Sequence, residues 1–339
     1  MQQPLQNAIV EPPVEDRGLV SALVGDGRPL LSFVGLALVL SGGFALFLVA
    51  TGHFLPHDEQ FLGMTADQLC DLHGCKVVHF MYHDRGAFGG SLISVGILYL
   101  WLVAVPLRRG DAWAWWTMLA SGSVGFVSFL TYLGYGYLDT WHGTATLVLL
   151  PCYVWGMGRT RRALVVPRRL DHQPDTDRAT PSGWSSRFGV GRACLLLTAV
   201  ALVAAGIVIM VVGMTSVFVP QDLAFMGLEP ADLHAINPRL VPLIAHDRAG
   251  FGGGLCATGV TVFLCVWNGR PSRSLWQALL VSGVIGFGTA IGVHPMVGYL
   301  DVVHLAPAVI ASALFLAGLC LTYPRMVCSQ RVREWGQVG

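Results

Sequence analysis

The sequence predicts an all-α integral membrane protein of eight transmembrane helices, arranged as two parallel four-helix repeats of the same orientation. Three observations carry this. Hydrophobic residues make up 54% of the 339-residue chain and charged residues only 12%, with a mean hydropathy of +0.60, whereas soluble domains carry about 25% charged residues. Eight apolar runs reach the roughly 20 residues that a helix needs to cross a bilayer. A set of short motifs occurs twice, in the same order, at a nearly constant offset.

The tail 1–29 precedes the first run. Its opening, MQQPLQNAIVEPPVEDRG, has no basic segment leading directly into an apolar core, so it does not read as a signal peptide. The runs then fall at 30–51, 86–106, 113–133, 139–158, 193–216, 249–268, 276–294 and 303–323. Internal Gly and Pro do not argue against them, because membrane helices tolerate both. The first four runs form a repeat over 30–158 and the last four a repeat over 193–323. Between them the linker 159–192 is basic, polar and Pro-containing, and 324–339 is a short tail. Placing both termini and the linker in the cytoplasm leaves only Lys76, Arg85, Arg239 and Arg248 of the 21 Lys and Arg on the outer side. That asymmetry follows the positive-inside rule and suits the plasma (inner) membrane of a prokaryote-type cell.

The repeat is legible in detail. HDRGAFGG at His83 matches HDRAGFGG at His246, 163 residues on, and YLDTWH at Tyr137 matches YLDVVH at Tyr299, 162 on. SGSVGF at Ser121 matches SGVIGF at Ser282, and Pro56, Asp58, Phe61 and Gly63 match Pro220, Asp222, Phe225 and Gly227. An even number of spans per copy gives the copies one orientation, so both motifs of both copies open inward-going helices on the outer face.

Part of the pattern follows from architecture alone. Asp84, Asp139, Asp247 and Asp301 at helix starts suit capping and the helix dipole. Arg85 and Arg248 can snorkel, Tyr137 and Tyr299 suit an interfacial belt, and the Gly86/Gly90 and Gly250/Gly254 spacing allows close helix approach. None of this calls for histidine. His83, Asp84, Asp139 and His142 form one candidate catalytic or metal set, with Asp139 and His142 three apart on one helix face. His246, Asp247, Asp301 and His304 form the second. Ionisable groups at that depth turn inward. Two His and two Asp suit Zn, Fe or Mn. Haem b between two histidines is the lesser alternative, with Arg85 or Arg248, beside Tyr137 and Tyr299, holding a propionate or another anionic group. A metal-free proton or anion site is a further reading.

The first outer loop adds His53, His57, His73 and His79, and its CDLHGC offers Cys70 and Cys75 as a disulfide pair. It is not a haem-attachment motif, which needs Cys-x-x-Cys-His. No phosphate loop, dinucleotide fingerprint or zinc-protease motif is present, and no basic tract suggests nucleic acid. The partner implied is the lipid bilayer. The function expected is a metal- or haem-dependent membrane enzyme or redox subunit. A transporter or lipid-binding protein, and a structural subunit of a membrane complex, are the alternatives.

Overall fold

The computed structural model describes residues 18–135, 140–165 and 183–328, and among these every regular element is helical. A short α1 (Leu19–Val24) leads into α2 (Arg28–Thr51). α3 (Pro56–Leu62) and α4 (Ala66–His73) fill the first long loop. α5 (Lys76–Leu102) runs on through a π-helical turn, Val103–Leu107, that contains Pro106. α6 (Ala112–Phe129) ends in a 3-10 turn over Leu130–Tyr135, and α7 (Thr140–Val165) follows. There follow α8 (Arg187–Met214), the short α9 (Pro220–Met226) and α10 (Pro230–Ile236), then α11 (Leu240–Asn268), α12 (Arg273–Val297) and α13 (Val302–Tyr323), the last closing in a π turn over Pro324–Cys328.

Six segments among the described residues are long and apolar enough to cross a membrane: Arg28–Thr51, Lys76–Leu107, Arg187–Met214, Leu240–Asn268, Arg273–Val297 and Val302–Cys328. The chain is therefore a multi-pass membrane protein by helix length and composition. The expected spans at 113–133 and 139–158 are helices, α6 and α7, but are not among the six. α6 is rich in Trp, Ser and Gly, and α7 carries Arg159, Arg161 and Arg162 in its last turns.

A second difference concerns the HDR motifs. α5 begins at Lys76 and α11 at Leu240, so His83 and His246 lie about two turns inside their helices. Asp84 and Asp247 are therefore not caps. The polar run that suggested a loop stays helical because its polar side chains are turned into the protein, where His83, Asp84, His246 and Arg248 are all buried. Asp301 does cap α13, its Oδ1 accepting from the His304 amide at 2.7 Å.

α5 and α11 form the centre and pack against each other. α2 and α12 flank α5, α8 and α6 flank α11, α13 lies on α8 and α12, and α7 on α2. Glycine sets the closest approaches. A Cβ on Gly89 would lie 2.9 Å from the Gly42 carbonyl oxygen, and one on Gly206 2.6 Å from that of Gly252, so α5 meets α2, and α8 meets α11, nearly backbone to backbone. The short helices close one end of the bundle over an apolar cluster that includes Phe54, Leu69, Phe80, Leu233, Leu240 and Tyr299. There the sulfurs of Cys70 and Cys75 lie at disulfide distance.

Candidate metal centre

At this loop-covered end the central helices carry charges that interlock. Arg248 of α11 donates from Nε to Asp84 Oδ2 of α5 at 3.0 Å, and its Nη1 lies 2.7 Å from Asp222 Oδ2 of α9. The same nitrogen donates to the Val217 carbonyl, and the guanidinium lies over the Phe80 ring. Arg85 of α5 makes the reciprocal set. It donates from Nε to Asp247 Oδ2 of α11 at 2.8 Å and pairs through Nη1 with Asp58 of α3. Each arginine thus bonds the aspartate of the other HDR motif and one aspartate of its own preceding loop. Asp84 and Asp222 share the single Arg248 guanidinium, so this buried group keeps one net negative charge.

Beside it three histidines converge. His83 comes from α5, His294 from the last turn of α12 and His304 from the first turn of α13. The α12–α13 reversal brings the last two together. Gly298 takes a left-handed conformation, φ 77°, that a side chain would strain, and its amide donates to the His294 carbonyl to close the helix end. One ligand nitrogen from each of the three rings lies within 4.8 Å of the others. The ring centres are 4.5 Å apart for His83–His294, 5.2 Å for His83–His304 and 5.5 Å for His294–His304. These separations leave no room for a macrocycle between any two of these three rings.

The hydrogen bonds fix which nitrogen each ring presents. His294 Nδ1 lies 2.8 Å from the Ala290 carbonyl oxygen, which only accepts, so Nδ1 carries the proton. His83 Nδ1 lies 3.0 Å from Asp84 Oδ1 and donates to it. Tyr299 donates its hydroxyl to Asp222 Oδ1 at 2.9 Å, which leaves its oxygen to accept from His304 Nδ1 at 3.3 Å. Burial, and the Asp222 carboxylate beside it, push the Tyr299 phenol well above its ordinary pKa, so the hydroxyl stays a donor. In all three rings Nδ1 is therefore committed, so that in a neutral ring Nε2 presents its lone pair. His83 Nε2 and His294 Nε2 are 3.2 Å apart. Two lone pairs at that distance repel unless a cation lies between them. A metal at about 2.0–2.1 Å from each nitrogen sets tetrahedral ligand pairs about 3.3 Å apart, close to the separation seen.

The sequence-derived candidates sort as follows. His83, Asp84, His304, Tyr299 and Arg248 meet in one place. His83 and His304 are the two rings among them with a committed Nδ1, and Asp84 holds His83 while Arg248 holds Asp84. His246 is buried in α11 and is not one of the three converging rings, while Asp247 is paired with Arg85. Tyr137 and Asp139 lie outside the described residues, and of His142 only the backbone, in α7, is described. The expected meeting of His83 with His142 lies outside the described side chains, while the packing of α5 on α12 brings His83 to His294 and, beyond the α12–α13 reversal, to His304. His294 and Asp222 were not singled out as site residues. Asp222 could have been, from its recurrence with Asp58. His294 has no histidine counterpart in the first half, and repeat comparison passes over it.

A cavity of about 510 Å³ opens directly below the three rings. It is enclosed by α5, α8, α11, α12 and α13, with His83, Asp84, Arg248, His294 and His304 at its head and Val262, Phe287 and Phe315 at its far end. No family model, curated protein or solved structure matches this chain.

Proposed function

We propose that the chain is a membrane-embedded metal enzyme or redox subunit whose centre is a divalent transition-metal ion held by His83, His294 and His304. The observation that carries this reading is that one ring nitrogen of each histidine lies within 4.8 Å of the other two, with the Nε2 atoms of His83 and His294 3.2 Å apart and their Nδ1 atoms committed elsewhere. Three protein ligands with a fourth position open toward a cavity is the arrangement of catalytic rather than structural sites. Donation from His83 to Asp84 makes the carboxylate–histidine–metal chain that orients a ligand ring and raises its basicity. An all-imidazole donor set favours Zn²⁺ or Fe²⁺ over Mn²⁺, which suits oxygen ligands. The net negative charge on the Asp84–Arg248–Asp222 group favours a cation beside it.

Elemental analysis of detergent-purified protein loaded with Zn²⁺ or Fe²⁺ tests this. The expected result is one metal per chain, no Soret band, and loss of the metal in His304→Ala. Protein that retains no metal after loading would overturn the reading in favour of a proton shared between His83 and His294.

The same reading takes the chain as two parallel four-helix copies in a plasma membrane, with both termini and the linker 159–192 cytoplasmic. The reciprocal Arg85–Asp247 and Arg248–Asp84 pairs and the matched packing of α2 on α5 and α8 on α11 support the duplication. The distribution of Lys and Arg supports the orientation. Reporter fusions in the linker and near Gly63 should report opposite sides of the membrane. Equal signals would remove the eight-span topology.

A further inference from the structure

We infer that the cavity below the three histidines admits, from the lipid between α8 and α13, one membrane-dissolved molecule with a single long apolar chain, and seats its polar head at the metal centre. This rests on the reading of the histidines as that centre and names the class of molecule presented to it.

The shape of the cavity comes first. Along α13 its wall runs from Val303 to Phe315, and along α12 from Ser282 to His294. At 1.5 Å per residue each wall is about 18 Å long, more than half of the ~30 Å hydrocarbon core. The volume of about 510 Å³ lies within the roughly 300–1,000 Å³ of small-molecule sites. The space is therefore long, and it has a polar group at one end only.

The wall chemistry comes second. Ala87, Ala205, Ile209, Leu255, Phe287 and Phe315 are apolar. The cavity also touches Ser91, Ser94, Thr258 and Ser282, yet each hydroxyl is already spent on a backbone carbonyl: Ser91 on Phe88, Ser94 on Gly90 and Ser282, Thr258 on Gly254, and Ser282 on Ser94. No hydroxyl proton of these four remains for a ligand, so the shaft suits a hydrocarbon rather than a sugar or a peptide.

The route of entry comes third. α8 and α13 are in close contact at the end far from the histidines, where a Cβ on Gly191 would lie 3.0 Å from the Gly318 carbonyl oxygen and one on Gly318 2.7 Å from Leu195. Toward the histidines the same two helices offer residues that line the cavity and face outward at once. Val208 is 59% exposed and Val303 70%, and Pro307 beside them is exposed too. Both helices belong to spanning segments, so this opening faces acyl chains. A membrane-dissolved molecule can enter sideways there without crossing water.

The test uses the full chain in phosphatidylcholine nanodiscs with a palmitic acid analogue that carries a diazirine near its chain end. After illumination, cross-links are mapped by mass spectrometry, and bound metal is measured on the same samples. The expected result is labelling at the far end of the shaft, around Val262, Phe287 and Phe315. It should fall at least tenfold in Ala205→Trp and in Ala311→Phe, which fill the cavity from opposite walls, while metal content stays at the wild-type level. Labelling confined to outward positions such as Leu36 and Leu40, or undiminished in both variants, would overturn the inference. Should the wild type hold no metal but still show cavity labelling that both variants block, the metal reading alone fails and the chain-binding shaft stands.

Discussion

Arg248→Leu is expected to destabilise the protein by about 3–5 kcal/mol, the range for removing one partner of a buried ion pair. The guanidinium holds two carboxylates that have no other charge partner in the described network. The side chains of Asp84 and Asp222 are 3% and 0% exposed. Without Arg248 two like charges remain in a space with little water, and the α5–α9–α11 junction loses the group that joins it. Arg85→Leu should cost somewhat less, because water can partly replace the partner of Asp247, 14% exposed, even though Asp58, 2% exposed, is left buried. Thermal or denaturant unfolding in detergent checks both. Removing all three charges together, as Asp84→Leu, Asp222→Leu and Arg248→Met, should recover much of the stability, since apolar replacement of a whole buried network is often neutral. It should not recover metal binding, because His83 then has no carboxylate to fix its tautomer. Unfolding free energies for Arg248→Leu and Arg85→Leu within 1 kcal/mol of wild type would contradict this account of the interlock.

His83→Ala should abolish metal retention, while Asp84→Asn and Tyr299→Phe should weaken it by about 10–100-fold, the usual effect of removing an outer-shell partner. The grading follows from position. His83 supplies a donor nitrogen 3.2 Å from that of His294, so its loss leaves two ligands that no longer surround an ion. Among the ring nitrogens, Asp84 bonds Nδ1 of His83 and Tyr299 bonds Nδ1 of His304, neither being a proposed ligand atom. Their removal frees the rings to turn or change tautomer, but leaves three donors in reach. Competition with a chelator of known affinity measures the three variants against wild type. Equal affinity in Asp84→Asn, Tyr299→Phe and the wild type would show that the tautomers are not set as described. His246→Ala, which removes no member of the three-histidine group, should leave the affinity unchanged.

Much of this was legible in the chain. Hydropathy and the lengths of the apolar runs mark the helices, and repetition of HDR and YLD marks the residues that later meet. The histidines that capping and anchoring could not explain include two of the three that converge. What the sequence could not give is which copies touch. Topology alone would bring His83 and His142 to the same end of one four-helix unit, and it gives no hint that the packing of α5 on α12 brings His83 to His304. The start of α5 was misplaced for a related reason. A hydropathy window reads His79, His83 and Asp84 as loop, because it counts their polarity and not the partners that satisfy it. The arginines were read as facing lipid or a bound anion, whereas a buried aspartate from a short loop helix pairs with each. His294 escaped because it has no histidine counterpart in the first half, so a comparison of the two copies passes over it.

The most direct measurement is X-ray absorption at the metal edge of Zn²⁺-loaded protein in the membrane-like state. The account predicts three imidazole nitrogens at about 2.0–2.1 Å and one lighter exchangeable ligand, with the imidazole count falling to two in any His294→Ala protein that still retains metal. A spectrum showing sulfur ligands, or an imidazole count that His83→Ala and His294→Ala leave unchanged, would contradict it.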